Sequence, residues 1–213
     1  MKLQKDSEAF PLFSDWKPSE AVKRVHDAVV ANEQSLTDLD KAIGDGDHGR
    51  NMVIGCEALL QHAEELDVLD LNAMFEKISS VLFNNMGGAA GALYGTLFAK
   101  LAFCLAQENE LYDFSQALHR SAESVRQRGK VEVGNKTLFD VLYPVSEFIK
   151  SGSATFSEIA NLAEGAAEST IPMTAKRGRA SLLGERSQGH LDPGALSCAI
   201  IVRALCEYFG EKS

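Results

Sequence analysis

Apolar residues recur at helical spacing along almost the whole of this chain, and no run alternates as a half-buried strand does. From Pro18 onward the pattern reads Val22, Val25 and Val29, then Met52, Cys56, Leu59, Leu60 and Ala63, then Leu71, Met74, Phe75, Ile78 and Leu82. It continues with Leu93, Leu97, Leu101 and Cys104, then Phe114, Ala117, Leu118 and Val125, then Leu138, Val141, Leu142, Val145 and Phe148. Ile159, Leu162, Ala163 and Ala166 make a seventh set, and Ala195, Cys198, Val202, Leu205 and Phe209 an eighth. Boundary residues agree with that division. Asp70 and Asp113 stand where N-caps belong, Gly129 and Gly152 where helices stop, and Asp192-Pro193 pairs a cap with a first-turn proline. Consecutive helices with mostly short joints favour antiparallel neighbours, so the expected architecture is all-α, an up-and-down bundle or barrel forming one domain over 1–213.

Composition narrows the classes of function. With 21 Lys+Arg against 30 Asp+Glu the formal charge is −9, which gives no overall support to binding a nucleic-acid backbone. No stretch approaches the ~18 consecutive apolar residues of a membrane span, and Met1 to Trp16 lacks the basic start and apolar block of a signal peptide. The expectation is a cytoplasmic protein with neither nucleic acid nor membrane as partner. Cys56, Cys104, Cys198 and Cys206 lie far apart within apolar helical patterns, which predicts buried free thiols.

Chemistry is expected where glycine interrupts the helices. Four segments combine glycine with polar residues: Asp40 to Asn51, Gly87 to Gly95, Gly129 to Thr137, and Thr170 to Gly194. They join helices one and two, three and four, five and six, and seven and eight of the eight counted above. In an up-and-down arrangement that parity puts all four at one rim.

The first segment gathers Asp40, Asp45 and Asp47 within eight residues, spaced by Gly44, Gly46 and Gly49. Three like charges repel unless a cation joins them. The competing readings are a solvated acidic turn and an EF-hand. The EF-hand fails, because Gly49 replaces an oxygen ligand, Arg50 stands where the turn glycine is required, and Cys56 where the bidentate Glu belongs. Hard carboxylate ligands too few to fill a shell suit magnesium completed by water and phosphate. His48 is assigned a hydrogen-bonding role. Gly87, Gly88, Ala89, Ala90 and Gly91 open a helix almost without side chains, which either lets an anion approach its N–H groups or lets helices pack closely. The third segment imitates a Walker A loop but carries Asn135 between Gly134 and Lys136, with no strand ahead of it, and is not a P-loop. The fourth places Lys176, Arg177, Arg179 and Arg186 on about 20 residues between helices, a length typical of a functional lid or a mobile loop.

Taken in order, these motifs resemble a known family. Asp40 to Met52 (DKAIGDGDHGRNM), Gly87-Gly88 with Gly91 and Tyr94-Gly95, Lys136-Thr137 with Asp140, Gly178-Arg179-Ala180-Ser181 through Gly184-Glu185-Arg186-Ser187, Gly189-His190, and Asp192-Pro193-Gly194-Ala195 are similar to the nucleotide-binding L subunit of dihydroxyacetone kinase. The resemblance runs from about Val22 to the C-terminus and leaves 1–15 as an added arm. It implies an eight-helix antiparallel barrel with ADP or ATP held at one rim through two magnesium ions. Asp40, Asp45 and Asp47 would be the metal ligands. Nucleotide contacts would fall to His48, Gly49, Arg50, Asn51, Ala89, Ala90, Gly129, Leu138, Arg179, Asp192, Pro193 and Gly194, with Arg179 also acting on the transferring phosphate.

The resemblance further implies a K-type subunit that binds dihydroxyacetone and an M-type subunit of the phosphotransferase system that rephosphorylates ADP in place. A homodimer is a further option. Ala90 stands where the family usually has serine, and Asn135 where it usually has aspartate; neither removes a metal ligand. Two alternatives stay open on sequence: an ATP-dependent kinase for a related keto-sugar, and a non-catalytic nucleotide sensor.

Overall fold

The computed structural model describes residues 16–106, 114–152 and 154–212. Asp113 and the arm 1–15 lie outside them. Among the described residues the regular structure is helical: α1 Pro18–Ala31, α2 Glu33–Ile43, α3 His48–Leu60, α4 Ala63–Leu66, α5 Leu71–Asn85, α6 Gly88–Leu105, α7 Phe114–Gly129, α8 Phe139–Lys150, α9 Phe156–Glu168 and α10 Pro193–Gly210, with a 3-10 segment, Arg179–Ser187, before α10. The eight apolar sets read from sequence correspond to α1, α3, α5, α6, α7, α8, α9 and α10.

Several boundaries rest on identifiable side chains. Asp70 accepts from the N–H of Ala73 at the start of α5, and Asp192 accepts from that of Ala195 beside first-turn Pro193 in α10. Thr155 and Glu158 form a reciprocal capping box at α9. Gly152 takes the left-handed conformation (φ 80°) after α8. At α7 the expectation shifts by one residue, because Gly129 stays helical and Lys130 enters the left-handed region (φ 51°). The Val131 N–H then reaches back to the Arg126 carbonyl, closing the helix in the Schellman manner.

Packing runs from α1 to α3, α5, α6, α7, α8, α9 and α10, and returns from α10 to α1. Each helix therefore touches two neighbours in a closed circuit, and its apolar stripe points inward. Val29, Met52, Leu82, Leu101, Val125, Val141, Ile159 and Ala195 join one buried core. Helix α6 is long and apolar enough to cross a membrane by length and composition alone. Here it packs between α5 and α7 and buries Tyr94, Leu97, Leu101 and Cys104. The α5–α6 joint is tight. A Cβ on Gly91 would collide with the Met86 carbonyl, so glycine is needed there for packing. All four cysteines are free and buried, as expected.

Two elements depart from the sequence reading. The stretch between α1 and α3 is mostly helix, so Asp40 sits on the last turn of α2 instead of in a loop. Helix α2 stands outside the circuit and packs on α3, α10 and the 3-10 segment. The Thr170–Gly194 stretch is folded, not a loose lid. Its 3-10 turns kink at Gly184. Ser187 Oγ accepts from the Ala175 N–H (2.8 Å), and the Gly189 N–H donates to the Ile171 carbonyl (2.8 Å).

Candidate nucleotide and metal site

The four glycine-bearing segments meet at one end of the helical circuit around a cavity of about 360 Å³. Its wall contains Asp40, Asp45, Asp47, His48 and Asn51 from the first segment, and Gly87, Gly88, Ala89 and Ala90 from the second. Gly129, Lys136 and Leu138 come from the α7–α8 side, and Arg177 to Ala180 with Asp192, Pro193 and Gly194 from the fourth segment. Of the expected contacts, Gly49 and Arg50 do not line the cavity. Gly49 instead lets α3 lie against Glu33 and Thr37 of α2, and Arg50 is exposed.

Each acidic side chain reaches the cavity by a different local device. Asp40 is carried on α2 and buried, and its Oδ2 accepts the N–H of His48 at 3.0 Å, capping α3 from outside that helix. Asp47 occupies the N-cap position of α3 but makes no capping bond. Its carboxylate is free to join its neighbours. Asp45 lies in the turn between, where Gly46 adopts φ 77° and permits the reversal. One carboxylate oxygen from each of Asp40, Asp45 and Asp47 lies within 4.8 Å of the other two. Like charges this close repel strongly at the rim of a folded protein. The Arg179 guanidinium pairs with Asp45 and offsets part of that repulsion.

Three helix N-termini face the cavity, that of α3 beside the carboxylates. Helix α6 starts at Gly87-Gly88 without a side-chain cap, so its first N–H groups are open to a ligand. Gly87 is required by a close neighbour, since a Cβ there would meet the Asn51 carboxamide. Helices α3 and α10 present His48 and Pro193-Gly194. Their dipoles favour an anion at this spot, whereas the carboxylates favour a cation. A phosphate chain bridged to divalent metal satisfies both. The donor set of the acidic cluster is all hard oxygen, with too few protein ligands to complete a shell, and so fits magnesium.

His48 is held from behind. Its Nε2 lies 2.9 Å from Ser197 Oγ, whose hydroxyl donates to the Gly194 carbonyl (3.0 Å), leaving that oxygen to accept from the imidazole. Burial lowers the His48 pKa, so the ring is neutral near pH 7. Asp192 is buried as well, and burial raises its carboxyl to about 7 against the pull of the Ala195 N–H and Lys136. Asp140 is a loop anchor. Its two oxygens accept the N–H groups of Gly134 and Thr137. Lys136, which the sequence shows only as part of a P-loop-like run and of the family motif and assigns no role, is among the most completely buried side chains in the fold.

This geometry can now be set beside known proteins. The DAK2 domain pattern matches residues 42–207. The chain belongs to the DAK2 domain family. Within that family it is 38% identical to the Listeria innocua PEP-dependent dihydroxyacetone kinase 1, ADP-binding subunit DhaL, over 84% of this chain and 89% of that one. It is 37% identical to the Escherichia coli PEP-dependent dihydroxyacetone kinase ADP-binding subunit DhaL, over 85% and 91%. The Lactococcus lactis PTS-dependent ADP-binding subunit DhaL is 33% identical, over 86% and 92%. In three dimensions the fold matches the C. freundii dihydroxyacetone kinase crystallised with AMP-PNP and Mg2+, with a TM-score of 0.74 and 24% identity, covering 89% of this chain and 33% of that one. The chain covers 89%, 91% and 92% of the length of these three DhaL relatives.

Proposed function

We propose that this DAK2 chain is the nucleotide-carrying subunit of a multisubunit dihydroxyacetone kinase. The observation that carries the reading is the approach of Asp40, Asp45 and Asp47 to within 4.8 Å in the cavity that the N-termini of α3, α6 and α10 also face. Asp40, Asp45 and Asp47 would hold two magnesium ions. When bound, these ions neutralise and orient the phosphates of ADP or ATP. The chain's own residues do the rest. The open N–H groups at Ala89 and Ala90 receive phosphate oxygens, with backbone alone serving at Ala90. His48, Asn51, Gly129, Leu138, Asp192, Pro193 and Gly194 wall the nucleotide, and Gly49 and Arg50 support it from the first turn of α3.

Arg179, which pairs with Asp45 in this structure, would act on the transferring phosphate. There it counters the charge that develops in flight, a task of electrostatic positioning. Among the described residues, His48 and Lys136 are the histidine and lysine that line the cavity, the first held by Ser197 and the second by backbone carbonyls. A K-type subunit supplies the group that captures the keto-sugar. An M-type subunit of the phosphotransferase system would rephosphorylate ADP without its release, in keeping with the DhaL relatives' names. A cytoplasmic location is part of the same proposal.

Reconstitution tests the proposal. Mixed with a K-type subunit and dihydroxyacetone, the protein is expected to support turnover when an M-type subunit and a phosphoenolpyruvate-charged relay are added, and little with free ATP. Turnover driven by free ATP alone would replace the relay with an exchanging kinase. Nucleotide binding without turnover under either condition would leave a sensor.

A further inference from the structure

Lys136 is 1% exposed, and no carboxylate lies within ion-pair distance of its ammonium among the described residues. Its Nζ donates instead to backbone carbonyls: Thr170 at 2.6 Å, Ile171 at 3.5 Å, and His190. A buried lysine without a paired acid is costly unless its three donors are used, and here they are. Burial lowers its pKa, while Asp192 and Asp140 act in the opposite sense.

The carbonyls it joins are not neighbours in sequence. Thr170 and Ile171 follow α9, and His190 precedes α10, so they are the two roots of the 171–190 excursion. Other bonds close the same gap: the Gly189 N–H to the Ile171 carbonyl (2.8 Å) and the Asp192 N–H to Thr170 Oγ1 (3.0 Å). Lys136 is itself fixed, because Asp140 of α8 binds the N–H groups on either side of it, at Gly134 and Thr137. Lys136 also adopts φ 62°, an unusual conformation for a residue other than glycine, so the bonds hold it against local preference. Beyond the roots, the excursion docks on the same loop. The Lys176 N–H donates to the Asn135 carbonyl (3.1 Å) and Arg177 Nε to the Lys130 carbonyl (2.6 Å). Two residues further on, Arg179 reaches Asp45.

We propose that Lys136 is a positioning residue that pins both roots of the 171–190 excursion and thereby sets how long the nucleotide is held beneath Arg177–Arg179 and beside Asp192–Gly194. It touches carbonyls, not the reacting atoms. The retention part rests on the nucleotide-site reading above; the pin does not.

Lys136→Met tests both, because methionine has a stem of similar length, faces the same cost at a φ of 62° as lysine, and lacks the ammonium. Nucleotide-free variant and parent protein are compared by trypsin cleavage after Lys176, Arg177 and Arg179, and ADP-loaded samples by the rate at which ADP leaves. We expect cleavage and release each to quicken by about tenfold or more while far-UV circular dichroism is unchanged. In Lys136→Ala, propylammonium should restore both rates and tetramethylammonium, which has no donor, should not. Unchanged cleavage in Lys136→Met would overturn the pin. Faster cleavage with unchanged release would overturn its control of retention. Parent protein that binds no ADP would overturn the nucleotide reading and leave the cleavage result to decide the pin. If Lys136→Met does not fold, amide exchange of the parent decides. Protection of Gly189 and Asp192 equal to that of the α9 and α10 cores supports the pin, and exchange at surface-loop rates overturns it.

Discussion

Single residues at the rim do two jobs, and the acidic cluster separates them. Asp40 caps α3 through His48 and is tied to the fold, whereas Asp45 pairs with Arg179. Asp45→Asn should therefore weaken magnesium-dependent ADP binding by roughly a hundredfold. The helical fold should persist, with the unfolding midpoint of nucleotide-free protein within a few degrees of the parent. Relief of carboxylate repulsion and loss of a half-exposed ion pair oppose one another there. Calorimetric titration beside a thermal melt reads both, and unchanged affinity would remove Asp45 from the metal set. The cluster's convergence was legible because Asp40, Asp45 and Asp47 fall within eight residues spaced by glycines. Lys136 was not legible, because its value comes from carbonyls 34 and 54 residues away.

At the scale of elements, punctuation was readable wherever a side chain caps a helix. Asp70 and Asp192 are examples, and both cap as expected. Helix α2 escaped notice although Leu36 and Ile43 point inward from it. A single residue, Asn32, divides it from α1, with no glycine or proline at the break. The cap of α10 also predicts a pH response. Asp192 has an ordinary value of 3.8, raised to about 7 in the fold by burial. Below 3.8 both folded and unfolded chains hold the proton, and the group has no effect on stability. Between the two values only the folded chain holds it, so stability falls as pH rises and levels off above about 7. Asp192→Asn keeps a capping oxygen but cannot titrate. Nucleotide-free Asp192→Asn should show a flatter unfolding midpoint than the parent from pH 4 to 8 and exceed it at the alkaline end. Parallel curves would mean that Asp192 is ionised throughout.

The whole molecule is a circuit of helices with its chemistry gathered at one end. Much of this was legible, since the parity of helix joints puts every glycine-bearing segment on the same rim, and all four line one cavity. The order of the 171–190 excursion was not legible. Glycines and exposed arginines look the same in a mobile lid and in a docked one, and the bonds that dock it come from Lys130, Asn135 and Lys136 of the 130–137 loop. In the proposed function this rim holds ADP through magnesium on the aspartate cluster. The most direct test is calorimetric titration of ADP into nucleotide-stripped protein, once with excess Mg2+ and once with EDTA. One ADP per chain is expected, bound at least about a hundredfold more tightly with the metal. Equal affinity in EDTA, or no binding in either condition, would overturn metal-bridged ADP binding at this rim.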